Sequence, residues 1–220
     1  MDGTADARLV AFDFDGTLSD SEMTVLLGER AGIANEMAEI TERAMNDEIG
    51  YAESLRRRAG LLEGLDGASA EAAFDEVVLR PGAGRVLDRL NGAGHHTAIL
   101  TGGFERGVEA ALARAGASVD TVLANRLPLA GGQLTGAVEG PLIEGTKDDA
   151  LAELADDLGL PLAETVAVGD GANDLPMLEV AGLAVGFRPK DAVRPACDVV
   201  VATMGRLGRV LEERGLLDPS

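Results

Sequence analysis

Short apolar runs closed by loop-forming residues recur along the chain. The first, Leu9-Val10-Ala11-Phe12-Asp13-Phe14, ends in Asp15-Gly16-Thr17 and predicts a buried strand entering a loop. Gly16 lets the chain turn sharply there, and Thr17 is placed to cap the next segment. Further strands are predicted at 97–100, 121–123, 165–168, 183–185 and 199–201, and segments with helical spacing, such as 108–115 and 148–158, lie between them. Strands alternating with helices predict an α/β fold, a Rossmann-like parallel sheet flanked by helices, with ligands bound beyond the carboxyl ends of the strands.

Two stretches depart from this alternation. Residues 22–76 contain no convincing strand, while Met37, Ile40 and Ala44 follow helical spacing. This predicts a small helical cap inserted after the first strand, leaving 1–21 and 77–220 as the core. In 127–138, Gly131-Gly132 separates two short extended stretches and predicts a hairpin flap within the core, near the cap.

Composition narrows the function. With 220 residues and 46% apolar content, the chain can build one core plus a small insertion. No apolar run approaches the roughly 20 residues that cross a bilayer, and no signal-like segment opens the sequence, so a soluble, cytoplasmic monomer or homodimer without a membrane partner is expected. A formal net charge of -19 repels nucleic acid. It also repels any small anionic ligand, so a phosphate site must assemble its own positive field from a metal ion, helix N-termini and a few basic groups. Only Lys147 and Lys190 are lysines, and the acidic excess resembles that of a halophile's cytoplasmic protein. Cys197, the sole cysteine, excludes an internal disulfide or a cysteine-based zinc site and is expected to be a small buried side chain.

Candidate chemistry collects at predicted strand ends. Asp13 and Asp15, two residues apart, can share one face, as nucleophile plus acid/base or as metal ligands. Gly169-Asp170-Gly171-Ala172-Asn173-Asp174 follows another strand, and a helix starting there brings Asp170 and Asp174 toward the same end of the sheet. Hard oxygen donors of this kind suit magnesium, with manganese the alternative. A dinucleotide loop would need glycine where Asp174 stands. Thr101-Gly102-Gly103 offers a hydroxyl and free backbone N–H groups before a helix, a phosphate cradle, and Lys147 opens the next helix. His95 and His96 precede their strand and so fall at the wrong end of the sheet for catalysis. On a helix through 51–62, Tyr51, Leu55, Arg58 and Leu62 form one stripe that excludes Arg56 and Arg57, and a charge on such a stripe calls for an anion.

Asp13-Phe14-Asp15-Gly16-Thr17, Thr101, Lys147 and Gly169 through Asp174 resemble the four ordered motifs of the haloacid dehalogenase superfamily. Within it, the chain is similar to the phosphoserine phosphatase family over nearly its whole length, notably in Leu100 through Phe104, Val166 through Asp174 and the insert's Ser54-Leu55-Arg56-Arg57-Arg58. The resemblance implies hydrolysis of O-phospho-L-serine, with Asp13 the nucleophile and Asp15 the acid and then base. It implies Mg2+ held by the Asp13 and Asp170 carboxylates and the Asp15 carbonyl, with Asp174 orienting metal-bound water. Thr101, Gly102 and Lys147 would bind the phosphoryl group. Glu22 would meet the substrate ammonium, Arg58 its carboxylate, and Asn173 would position substrate or Lys147, while Tyr51 and Met45 would give apolar cover. Serine is common in the family where Thr101 stands, and often where Gly16 stands. Another small phosphomonoester, an alcohol acceptor in place of water, or a silent binding module are the competing expectations. Intact Asp13, Asp15, Lys147 and Asp170 oppose the last.

Overall fold

The computed structural model describes residues 8–45 and 48–219. Its strands, numbered in chain order, are β1 (Leu9–Phe12), β2 (His96–Phe104), β3 (Thr121–Asn125), β4 (Leu129–Ala130), β5 (Gln133–Leu134), β6 (Thr165–Gly169), β7 (Leu183–Phe187) and β8 (Val199–Val201). Six of them form one parallel sheet in the order β3-β2-β1-β6-β7-β8, while β4 and β5 pair as an antiparallel hairpin. The chain builds outward from β1 to β3, then crosses back to lay β6 against the other side of β1. Strand order reverses there, which opens a crevice at the carboxyl ends.

Alternate residues of the central strands enter different apolar clusters, which is why each strand reads as a continuous apolar run. Val10, Phe12, Ile99, Val166 and Val168 join one cluster with residues of α5 (Ala83–Gly92), α6 (Glu105–Ala115) and α9 (Met204–Glu213). Ala11, Ala98 and Ala167 face the other, where α7 (Lys147–Asp157) and α8 (Leu175–Val180) pack on a surface of mostly small side chains. That second layer carries Lys147 and Asp174 to the crevice. Among the described residues, no helix is long and apolar enough to cross a membrane.

Between β1 and α5 lie four helices, α1 (Met23–Ala31), α2 (Ala34–Met45), α3 (Tyr51–Leu61) and α4 (Gly67–Phe74). Of the helically spaced Met37, Ile40 and Ala44, Met37 is buried and the other two are half-buried, and Leu55 and Leu62 of the second stripe are buried. The hairpin turns through Gly131 (φ 60) and Gly132 (φ 84), consecutive left-handed residues of the kind a tight two-residue turn needs. Leu134 N–H donates to Leu65 O at 2.8 Å and Gly64 N–H to Leu134 O at 2.9 Å, so the hairpin is stitched by its main chain to the α3–α4 connection.

Two local expectations change. Thr17 caps no helix: α1 begins only at Met23, with Glu22 at its N-cap position and no side-chain cap bond, and Thr17 Oγ1 is buried without a partner. The intervening residues are held extended by bridges from Ser19 to Asp15 and Leu79. β2 also runs beyond Leu100 to Phe104, with a register shift against β3 between those residues.

Candidate active site

Adjacent strands bring the first two carboxylates together. Phe12 of β1 pairs in register with Val168 of β6, and Asp13 N–H donates to Val168 O at 2.8 Å, so Asp13 and Asp170 leave neighbouring strand ends. Asp174 closes the short 3-10 turn Ala172–Asp174 that leads into α8. Its Oδ2 accepts the N–H groups of Asp170 (2.8 Å) and Gly171 (2.9 Å). A Cβ on Gly169 would stand 2.5 Å from Asp174 Cγ, so glycine there is a packing requirement. Lys147, the first residue of α7, reaches between these acids and donates to Asp13 Oδ1 and Asp174 Oδ1, each at 2.6 Å. The ammonium is therefore held by Asp13 and Asp174, while Asn173, expected to position substrate or Lys147, lines the same cavity as Lys147.

Asp13, Asp170 and Asp174 each present a carboxylate oxygen within 4.8 Å of the others. The Lys147 ammonium bonds two of these three carboxylates, and the imbalance shows in their proton affinity. Burial and the Asp174 charge push Asp13 up to about 7 against the pull of Lys147. Burial and Asp174 likewise push Asp170 up to about 6, while Lys190 pulls it down. Burial disfavours the Lys147 charge, but Asp13 and Asp174 more than offset it and hold the ammonium above the ordinary lysine range. The surplus is two negative charges, which a divalent cation would neutralise, and oxygen-only donors are the ligand type that hard cations take. Asp174 already spends both oxygens on N–H donors, which leaves Asp13 and Asp170 the freer carboxylates of the three.

Asp15 lies outside that trio. Its Oδ1 is buried without a hydrogen-bond partner, and burial, then Glu22 and Asp13, raise its pKa well above the usual carboxylate range. Such an environment favours the protonated form, the one that can give a proton. Gly16 adopts φ 83, and a Cβ there would meet the Asp170 carboxylate at 2.8 Å. Arg80, which no sequence motif singles out, donates to Gly16 O (3.0 Å) and Thr17 O (3.1 Å) and pins this loop from 64 residues away. Thr101 is buried at the crevice, but its Oγ1 accepts the Gly103 N–H at 2.9 Å. That amide is not free, because β2 continues extended through it instead of turning directly into a helix.

The insert supplies the opposite wall. Tyr51 stands over Gly102 so closely that a Cβ at 102 would lie 1.8 Å from its hydroxyl. Tyr51, Gly102, Leu142, Lys147, Asn173 and Pro176 line a cavity of about 200 Å³. The side chain of Met45, the other expected cover, lies outside what the structure describes. Arg58 is half-buried, its Nε and Nη1 each 3.4 Å from Ser54 O and Thr24 Oγ1. Among the described residues no carboxylate lies within 4.0 Å of it, whereas Arg56 pairs with Glu144 and Arg57 with Glu53. Glu22 is exposed at the start of α1, and its charge is felt by Asp15, Arg58 and Asp170. A larger hollow of about 500 Å³, lined by Leu178, Ala184 and Pro195 among others, contains none of these groups.

At the other end of the sheet, His95 Nδ1 accepts Arg8 N–H at 3.2 Å and its Nε2 lies 2.7 Å from Leu216 O, while His96 Nε2 lies 2.8 Å from Thr121 Oγ1. Both rings serve chain packing, away from the carboxylates. Cys197 is partly buried, its Sγ 3.4 Å from Val193 O.

Residues 10–179 match the model of the haloacid dehalogenase-like hydrolase family. A phosphoserine phosphatase of Halobacterium salinarum is 54% identical over 208 residues, covering 94% of this chain and 99% of that one. A solved substrate-bound phosphoserine phosphatase complex superposes with TM-score 0.85 at 32% identity, covering 95% of this chain and 98% of the other. A phospho-aspartyl intermediate analogue of phosphoserine phosphatase superposes with TM-score 0.81 at 35% identity, covering 89% and 93%.

Proposed function

This chain belongs to the haloacid dehalogenase-like hydrolases, and we propose that it hydrolyses O-phospho-L-serine to L-serine and phosphate, the last step of serine biosynthesis, through a phospho-aspartyl intermediate on Asp13. One observation carries the reading: Asp13 is fixed at a strand end by Lys147 at 2.6 Å, and Asp15, two residues on, turns a buried carboxyl oxygen without a hydrogen-bond partner into the same crevice end, its pKa raised by burial.

In this reading an Asp13 oxygen bonds to phosphorus as the phosphorus–serine oxygen bond breaks, and Asp15 gives its proton to the departing serine oxygen. Asp15, now ionised, takes a proton from water, whose oxygen bonds to phosphorus and releases phosphate and the Asp13 carboxylate. Lys147, Thr101 and Gly102 bind the phosphoryl oxygens and stabilise charge that builds between the two bonds. Magnesium, held by the Asp13 and Asp170 carboxylates and the Asp15 carbonyl, would offset the repulsion between nucleophile and ester. Asp174 keeps Lys147 and the loop after β6 in place and would orient water at the metal when the metal is bound.

Residues 22–76 act as a cap over a core of 1–21 and 77–220, with the hairpin of 127–138 as a flap tied to it. The cap chooses the leaving group: Glu22 meets the serine ammonium, Arg58 its carboxylate, and Asn173 the rim of the substrate, while Tyr51 excludes water. The reading is tested by phosphate release from L-phosphoserine and a panel of other monoesters, with magnesium, for the parent and Arg58→Ala. A strong preference for phosphoserine that collapses in Arg58→Ala is expected; equal rates across the panel in both proteins would reduce the reading to a generalist phosphatase.

A further inference from the structure

Two of the 19 basic residues are lysines, and both stand at the carboxylate cluster. Lys147 is committed to two acids at 2.6 Å. Lys190 follows β7 in the segment that returns past the crevice, and its main-chain N–H donates to Asp170 O at 2.9 Å. Its Nζ lies 3.8 Å from where a side chain on Gly171 would begin, a point 2.6 Å from Asn173 Oδ1, and Asn173 lines the cavity. Lys190 therefore sits at the outer lip. It is exposed, no carboxylate among the described residues comes within 4.0 Å of it, and the adjacent Asp191 faces Arg194 at 3.6 Å instead. The nearby guanidinium groups are turned to main-chain oxygens, Arg80 to Gly16 and Thr17, Arg188 to Ala202 at 2.8 Å.

We propose that Lys190 is a positioning residue that steers the phosphate ester into the site, an uncommitted positive charge at the lip of a cleft whose acids otherwise repel the substrate. It acts on encounter and not on the chemical step, and the proposal rests on the phosphate-ester reading above. The chain's net charge of -19 repels a dianion from every side, so the field at the mouth depends on the few cations nearest to it. A unit charge acting on a dianion roughly 8 Å away in water changes encounter about fivefold. Because the link to Asp170 is made by the backbone, side-chain replacement leaves the loop's hydrogen bond intact.

The test compares parent, Lys190→Arg, Lys190→Gln and Lys190→Glu at saturating magnesium. Each is assayed with L-phosphoserine and with p-nitrophenyl phosphate, from the lowest salt at which its far-ultraviolet circular dichroism is native up to molar salt. The expected result is a kcat/KM lowered about fivefold in Lys190→Gln and by about the square of that in Lys190→Glu. Lys190→Arg should stay near the parent, kcat should not change, and all four proteins should converge where salt screens the charge. Losses of equal size in Gln and Glu, losses that persist in molar salt, or no loss at all would overturn it. Because p-nitrophenyl phosphate carries the same dianion, the Lys190 effect is read even if phosphoserine is a poor substrate, and the two claims fail separately.

Discussion

Lys147 and Arg58 bring positive charge to the same cleft from opposite walls, and they are held in opposite ways. Lys147 is 5% exposed and pairs with two carboxylates at 2.6 Å, a charge whose present partners belong to the protein and whose third N–H remains for a ligand. Arg58 is half-buried, with only long contacts of 3.4 Å to a carbonyl and a hydroxyl. A buried cation that completes an internal network is part of the fold, and removing it strands its partners. A half-buried cation without an anion is a charge left for a ligand, and its planar fork suits a carboxylate. In the proposed reading the phosphoryl end of the cleft is thus preset, while the end walled by α3 is completed by what binds.

The largest effect should come from Asp13→Asn, which removes the nucleophile but keeps its shape. Phosphate release should fall by about 10⁴-fold or more, and the aspartyl-phosphate should no longer form in acid-quenched samples. The same variant exposes the charge surplus. An acid whose pKa rises on folding destabilises the folded state as it ionises, so in chelator the parent should lose stability from about pH 4 to about pH 7. Asp13→Asn should lose less over that window, and magnesium should restore the parent; identical pH profiles of melting temperature in parent and variant would count against the surplus.

Next in size is Lys147→Met. It leaves Asp13 and Asp174 without their buried partner and should cost about 3 to 5 kcal/mol in urea unfolding, in addition to abolishing turnover. Arg58→Ala should change stability by less than about 1 kcal/mol while damaging phosphoserine use. Comparable stability losses in the two variants would break the contrast between committed and open cations.

A smaller effect is expected where the walls meet. Gly102→Ala places a methyl where the Tyr51 hydroxyl stands, so turnover should fall, and Tyr51→Phe in the same chain should recover part of the loss, a coupling read by a double-mutant cycle. The smallest belongs to Arg57→Ala. Its exposed pair with Glu53, one turn away on α3, should contribute no more than about 0.5 kcal/mol, and kinetics with phosphoserine should not change. Adjacent arginines would then differ in role purely by the direction they face.

Much of the site was legible before the fold was known. Asp13, Asp15, Asp170 and Lys147 fall at element boundaries marked by apolar runs, and such runs are a local property. The stripe through Leu55, Arg58 and Leu62 was legible for the same reason, although Tyr51 at its start is 41% exposed. The Thr17 cap misled because the residues after it are held by bridges to Asp15 and Leu79 instead of starting a helix, and the Gly103 amide because the Thr101 hydroxyl two residues back takes it. Arg80 and Lys190 carried no local mark.

The sequence by itself determined which segments are strands and which residue types stand near their ends, because side-chain alternation and loop-forming residues act over a few positions, although it did not show β2 continuing from Leu100 to Phe104. Only the tertiary structure decided who meets whom. Lys147 and Asp13 are 134 residues apart, and their contact exists because β6 crosses back beside β1 while α7 packs on the alanine-lined face. Which carboxylates hold the ammonium, which acid is hardest to ionise and which cation is left open all depend on that placement, since Coulomb interactions and desolvation are set by distance and burial, not by order along the chain.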